Sequence, residues 1–390
     1  MATISDNPRE IIASVPPSGD SMRATRAEVD LSKIGHNVSE IRNLIQKNVR
    51  IMGVVKANAY GHGMIEVAQY LQSNSIDMLG VAFTQEAVAL RNAGITTPIL
   101  VFYGAREEEY PYYPAWDLEM TIPSLEALGT VNEYLASTGN TIRAHLKVDT
   151  GMGRVGIQYR ETYRAIQSIS QMKNIEPVGL YSHLATSEGN DPEYVSLQLE
   201  RFESVLTEAK KQGVEFEHIH LANSGGIIHY PQTYYTMVRP GIMLYGYPPG
   251  ESIPDTLHLQ QPLSLRSAIT LIKRVEKGVS ISYSRRYTTS SPTHIGTIPI
   301  GYADGFNRLL TNNADVLIHG KRFPQVGTVC MDQIMVDLGD DSSISIGDEV
   351  ILLGTSGEET ITAWDIAART GTIPYEILCA LSARIPRIYI

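Results

Sequence analysis

Cysteine is nearly missing from this chain. Cys330 and Cys379 are its two thiols in 390 residues, so no disulfide framework is implied and a reducing cytoplasm is the expected location. Basic residues are in deficit: 32 Lys and Arg stand against 42 Asp and Glu, a formal net charge of -10. That balance argues against nucleic acid, whose phosphates need a basic surface. No stretch of about 18 apolar residues occurs, which excludes a helical membrane span. The opening MATISDNPREIIASVPPSGDSM has neither a positive n-region nor an apolar h-region, so it is not expected to be a signal peptide or anchor. Pro16, Pro17, Ser18 and Gly19 instead suggest a flexible tail over residues 1–24. CxxC and HExxH spacings are absent, and no metal site is expected.

What is present reads as a globular enzyme with 43% hydrophobic and 19% charged residues, too long for one ordinary core. Residues 51–63, IMGVVKANAYGHG, organise the rest. An apolar run ends on Lys56 and breaks at once into a loop, as a parallel strand buried on both faces does where it emerges. Strands are expected at 51–56, 78–82, 98–103, 118–123, 143–149, 177–184, 218–223 and 237–245, alternating with helical patterns. Eight such units close into an α/β (β/α)8 barrel. A Rossmann sheet would want a GxGxxG turn after the first strand, and KANAYGHG has none. Past Gly250 short apolar segments are punctuated by Gly, Asp and Pro. The expected organisation is a barrel over residues 25–255 and a C-terminal, mostly-β domain over residues 256–390.

Polar residues collect where the strands end, the catalytic face of such barrels. Lys56 closes the first strand, Lys147 and Asp149 the fifth with Arg154 beyond, and His183 the sixth. Asn223, Ser224, Gly225 and Gly226 open a helix after the seventh and suit a phosphate held by backbone N–H groups. Arg239 points inward from the eighth. Each has a bland alternative: Ser224 a helix N-cap, His183 a bonded structural histidine, Arg239 a paired core residue, Tyr283 a half-buried strand tyrosine. Together, an imine-forming lysine opposite a phosphate cradle in a barrel specifies pyridoxal 5′-phosphate.

The segments VVKANAYGHG, LKVDTGMGRVG, ANSGG, VRPGIMLYG, ISYSRRYT, GTIPIGYADG and VCMDQIMVDL, in this order and spacing, closely resemble the alanine racemases. These are barrel-type enzymes that use pyridoxal phosphate to interconvert L- and D-alanine, supplying D-alanine for peptidoglycan. The resemblance covers about residues 25–390. It implies that Lys56 holds the cofactor as an imine and serves as one catalytic base, with Tyr283 from a partner subunit as the other. It implies cofactor contacts from Tyr60, His183, Asn223, Ser224, Arg239, Gly241, Ile242 and Tyr375, with Arg239 at the pyridine nitrogen. Arg154 resembles the arginine that binds the substrate carboxylate, and Lys147 a lysine carbamylated in many members. Met331 resembles a backbone contact to substrate from the second subunit. Tyr302 and Tyr375 resemble the aromatic gate of the substrate channel. The implied assembly is a homodimer with shared active sites.

Two departures stand out. The tail up to Met22 is longer than the family's usual one, and Ser284, followed by Arg285 and Arg286, stands where glycine is more usual. The alternatives are a racemase of serine or lysine with the same fold, or a pyridoxal phosphate-dependent decarboxylase, which would want an acid where Arg239 stands. A non-catalytic cofactor carrier would end near residue 250 and lack Tyr283.

Overall fold

A computed structural model describes residues 23–250 and 254–390; the expected tail falls outside them except for its last two residues. The first strand, β1 (Arg26–Val29), leads into helix α1 (Leu31–Leu44). Asp30 caps α1 by accepting the Ser32 N–H at 3.0 Å, one of the orphan donors every helix start carries. Ile34, Val38 and Ile41 recur at helical spacing and are buried. Each contributes about 1.5–3 kcal/mol against leaving it in water.

Eight parallel strands follow: β2 (Arg50–Val54), β3 (Met78–Val81), β4 (Ile99–Val101), β5 (Glu119–Ile122), β6 (Ile142–Asp149), β7 (Ile175–Tyr181), β8 (His218–His220) and β9 (Met237–Val238). They pair in that order, and β9 returns to β2 through Met237 opposite Arg50. The β8–β9 seam is closed by a bridge between Asn223 and Arg239 and by Arg239 N–H donating to the Ala222 carbonyl at 2.9 Å. The barrel expected from the eight apolar runs is present. Met52, Met78, Leu100, Tyr181 and Met237 come from five strands yet form one cluster, a contact available to them only through the lumen.

Boundaries differ from the sequence expectation in consistent ways. Strand 237–245 stops at Val238, and residues Ile242–Tyr245 form a 3-10 turn. Pro240 has no N–H for a ladder, and Gly246, at φ 80, ends the turn in a left-handed conformation. The sixth barrel strand stops at Tyr181, leaving His183 beyond it. The helical segment near residue 106 is a 3-10 turn, Glu107–Glu109, and one short helix, Tyr112–Ala115.

The remaining chain is mostly strand, as expected, with two short helices, Ala363–Thr370 and Pro374–Cys379. Although it begins the described chain, β1 lies in this second region. It pairs antiparallel with Leu263–Ala268 and parallel with the C-terminal strand Arg387–Tyr389. A separate three-stranded sheet joins Leu271–Val275, Thr293–Ile298 and Ile334–Gly339.

One buried amide ties these parts together. Asn37 on α1 donates to the Leu244 and Gln260 carbonyls at 2.9 and 2.8 Å and accepts the Gln260 N–H at 2.8 Å. Asn37→Ala strands these groups without partners, and the expected loss is about 2–4 kcal/mol. Chemical denaturation measures it; a loss below about 0.5 kcal/mol, the level of an ordinary surface change, would show that the amide is dispensable.

Candidate active site

Lys56 follows β2, two residues past its end at Val54. The next four residues, Ala57, Asn58, Ala59 and Tyr60, have φ of 53, 55, 52 and 52°, a full left-handed turn built without glycine. Such a conformation costs about 1–2 kcal/mol per residue, and compensating contacts surround it. Glu86 accepts the Ala57 N–H at 2.7 Å and the Ala82 N–H at 2.8 Å. Asn58 accepts the Met64 N–H at 2.9 Å, and the Tyr60 ring stacks on Tyr245 at 4.8 Å. Gly61 ends the turn. A Cβ there would lie 2.1 Å from the Leu378 carbonyl, while the Arg387 side chain donates to the Gly61 carbonyl at 3.1 Å. The C-terminal segment therefore clamps the lysine turn.

Around Lys56 the structure gathers a group of cationic side chains. Burial and the nearby Arg154 lower the Lys56 amine from its ordinary value. Lys147 is buried, with its amine 4.3 Å from the centre of the Tyr181 ring. Burial, Arg239 and Arg154 hold it well below the usual lysine range. His183 is likewise pushed well down by burial, then by Lys147, Arg239, Arg154 and Lys56. Arg239 donates to the Ser182, His220 and Leu221 carbonyls at 2.8, 2.8 and 3.1 Å and approaches His183 Nδ1 at 3.3 Å. Burial brings it to about 10, still protonated at neutral pH. Asp149, the acid on the same strand as Lys147, is taken up in accepting the Gly151 and Gly153 N–H groups at 2.9 and 3.2 Å. Residues 151–156 do spell GxGxxG, but they run into strand Ile157–Gln158, which pairs with β6. The pattern presents exposed Arg154 and opens no helix.

Beside this cluster lies a cradle of main chain. Asn223, and not Ser224, caps helix Ser224–His229 by accepting the Gly226 N–H at 3.0 Å. The Ser224 hydroxyl accepts from Gly241 N–H at 3.0 Å and Met243 N–H at 3.4 Å, which draws Gly241 and Ile242 to the same place. A Cβ at Gly241 would meet the Tyr60 hydroxyl at 2.4 Å, and the Tyr375 ring lies 6.0 Å from that of Tyr60. Lys56, Tyr60, Lys147, Arg154, His183, Asn223, Ser224, Arg239, Gly241, Ile242 and Tyr375 are thus grouped at one end of the barrel.

Tyr283, Tyr302 and Met331 sit elsewhere, on the strand-rich region, and are 71%, 42% and 52% exposed. The Tyr302 N–H bonds the Cys330 carbonyl and the Ala303 N–H the Met331 carbonyl, at 3.0 and 3.1 Å, so these two loops are joined. Tyr283 lines a cleft of about 700 Å³ with Leu271, Val275, Ile281 and Met335. Ser284, at φ 60°, adopts the conformation that favours glycine.

With this geometry in view, comparison with known proteins is decisive. Profiles for "Alanine racemase, N-terminal domain" and "Alanine racemase, C-terminal domain" match residues 29–249 and 262–389. This chain belongs to the alanine racemase family. Alanine racemase 2 of Caldanaerobacter subterraneus subsp. tengcongensis is 43% identical over 372 residues, covering 95% of this chain and 96% of that one. The solved alanine racemase of Clostridium difficile 630 superposes with a TM-score of 0.91 at 40% identity, covering 95% and 97%. A histidine racemase from Leuconostoc mesenteroides subsp. sake superposes at 0.88 with 28% identity, covering 95% and 99%. The racemase fold therefore accommodates more than one side chain.

The sequence did not reveal the left-handed turn or the roles of Glu86, Tyr181 and Tyr245. Asn58 is the only residue of the turn with a marked tolerance for positive φ. Ala57 is exposed, so a larger side chain there meets no packing, and strain alone decides the outcome. Ala57→Val is expected to lower stability by about 1–2 kcal/mol and Ala57→Gly not to lower it. Thermal melting of the two variants distinguishes them; equal midpoints would mean the turn is unstrained.

Proposed function

We propose that this chain is an alanine racemase that holds pyridoxal 5′-phosphate at the barrel mouth and works by two bases on opposite faces of the substrate α-carbon. The observation that carries the reading is the convergence of a half-buried lysine with a lowered pKa, Lys56, on Arg154, Lys147 and Arg239. The residues fit the cofactor. An amine lowered by burial suits an aldehyde, main-chain N–H groups near Ser224 and Gly241 suit a phosphate, and buried Arg239 suits a ring nitrogen. When bound, the cofactor draws electrons from the substrate α-carbon and makes its proton removable.

The chain's own groups divide the remaining work. Lys56 Nζ takes or returns the α-proton on one face. Arg154 offers its planar guanidinium to the substrate carboxylate, and carbamylated Lys147 would convert a like-charge clash beside it into an ion pair. Arg239 donates a hydrogen bond to the ring nitrogen and keeps its proton, because arginine remains charged at neutral pH. That disfavours the transamination an acid would invite, and it sets this reading above a decarboxylase. Tyr375, joined by Tyr302 of another copy of this chain, narrows the entrance and favours a side chain as small as alanine's, with serine or lysine the alternative.

The second base is Tyr283 of another copy of this chain. Racemisation needs it because a proton removed from one face must be replaced on the other. Its exposure, and that of Met331, supports their use across a homodimer interface, with substrate from the cytoplasm and D-alanine delivered to peptidoglycan synthesis. The two free cysteines agree with a reducing compartment.

Purified protein should gain a visible absorption band with pyridoxal phosphate, and Lys56→Ala should lose it. A panel of L-amino acids followed by chiral chromatography should show D-alanine as the main product. Tyr283→Phe should slow α-deuterium exchange from one alanine enantiomer by about a hundredfold or more and from the other far less, with the band retained. Equal slowing of both would rule out proton transfer from two faces.

A further inference from the structure

One polar line crosses the lumen. Glu119 opens β5, His145 lies within β6, His220 ends β8 and Arg239 follows β9, so the line climbs from the N-terminal end of the strands to the mouth. Arg239 Nη1 lies 2.9 Å from His220 Nδ1. His220 Nε2 lies 2.9 Å from His145 Nδ1, and His145 Nε2 lies 2.6 Å from a Glu119 oxygen. All four residues are buried. The His220 ring stacks on Tyr181 at 4.6 Å and 6°, and His145 on His218 at 5.6 Å and 9°. Space has been made for this line: a Cβ at Gly179 would stand 2.0 Å from His145 Nδ1.

The direction of donation is forced from both ends. Arginine has only donors and a carboxylate only acceptors. Arg239 therefore donates to His220 Nδ1, which leaves the His220 proton on Nε2, pointing at His145 Nδ1. His145 must then carry its own proton on Nε2 and donate it to Glu119. A doubly protonated ring at either place would set N–H against N–H. Burial, then Arg239 and the neighbouring histidines, keeps His220 well below its usual range. Burial opposes ionisation of Glu119, but bonds from His145 and Arg143 outweigh it and hold the carboxyl low.

We propose that Glu119 is a positioning residue for Arg239, acting through His145 and His220 by fixing one sense of hydrogen-bond donation along the lumen. Its consequence for racemisation rests on Arg239 facing the cofactor, as proposed above; the relay itself does not. Glu119 accepts the Arg143 Nε–H at 2.9 Å with its other oxygen. In Glu119→Gln the donor-only Arg143 claims the amide oxygen, and the NH2 group faces His145 Nε2. Both rings must then move their proton to Nδ1, placing an N–H against the guanidinium.

Nitrogen-15 NMR of histidine-labelled protein without cofactor reads these tautomers, with signals assigned through His145→Gln and His220→Gln. The wild type should carry both protons on Nε2 and Glu119→Gln both on Nδ1. Glu119→Asp, still acceptor-only, should keep the wild-type pattern. Glu119→Gln/Arg143→Met frees the amide to turn its oxygen inward and should restore it. With cofactor and alanine, Glu119→Gln should lower kcat about tenfold to a hundredfold with little change in KM, and the double variant should recover it. Unchanged nitrogen shifts in Glu119→Gln, or a double variant as perturbed as the single one, would overturn the relay. Wild-type protein that takes up no pyridoxal phosphate would instead end the functional reading, leaving the NMR result to decide on the relay.

Discussion

Crowding of like charge at the barrel mouth is the constraint on which the rest depends. Lys56, Lys147, Arg154, Arg239 and His183 act on one another, and the nearby acid Asp149 is engaged with main-chain donors. Burial and mutual repulsion both disfavour the charged forms. The two lysines and the histidine are lowered most readily, while Arg239, brought down to about 10 by burial, stays charged at neutral pH. One arrangement thus biases an amine toward the form suited to covalent chemistry and sets up a positive field suited to an anionic ligand. The two properties share part of their cause, because Arg154, which adds to the positive field, also adds to the effect of burial in lowering the Lys56 amine.

Holding that amine in place requires strain, and the strain explains why two regions of the chain are locked together. A left-handed turn of four residues, each with a Cβ, cannot persist by itself. It is secured from the barrel by Glu86 and Tyr245 and from the C-terminus by Leu378 and Arg387. Arg387 opens the strand that pairs with β1, so the first and last described strands, paired together, brace Gly61, the residue that ends the turn. Burying Arg239 poses a similar problem, met by three main-chain carbonyls and His220. An unpaired buried charge would cost several kcal/mol.

The barrel was legible because parallel strands buried on both faces read as apolar runs, and eight such runs stood between helical patterns. Lys56, Lys147, His183, Ser224 and Arg239 were legible as a site because strand ends in a barrel converge. What failed was local. The apolar pattern continues past Pro240 to Tyr245 and so suggests one strand over 237–245, and apolar content alone does not separate a strand from a buried 3-10 turn. KANAY carries no glycine to announce a left-handed turn. His145 and Lys147 do share a strand face at a spacing of two, and His218 and His220 stand together in the sequence. That signal was available for the lumen line, but nothing in the sequence said that strands β5, β6 and β8 would bring Glu119 and both histidines into register.

The loop bearing Tyr283 extends the argument about strain to the other side of the proposed chemistry. Ser282, Ser284 and Arg285 have φ of 66, 60 and 52°, three left-handed residues without a glycine on an exposed segment. Surface loops ordinarily relax into cheaper conformations, and conformations like these persist only where neighbours over-determine them. Here the Ser282 hydroxyl donates to the Thr328 carbonyl, Thr328 donates back to the Tyr283 carbonyl, both at 2.6 Å, and Arg285 donates to Ser280 at 2.8 Å. All three bonds fix main chain or loop shape, and the phenol they present stays in solvent. A strained support for an exposed tyrosine brings a single chain no packing energy. It is accounted for if the phenol must meet a position set by another copy of the chain, where a displacement of about 1 Å would be felt in the rate.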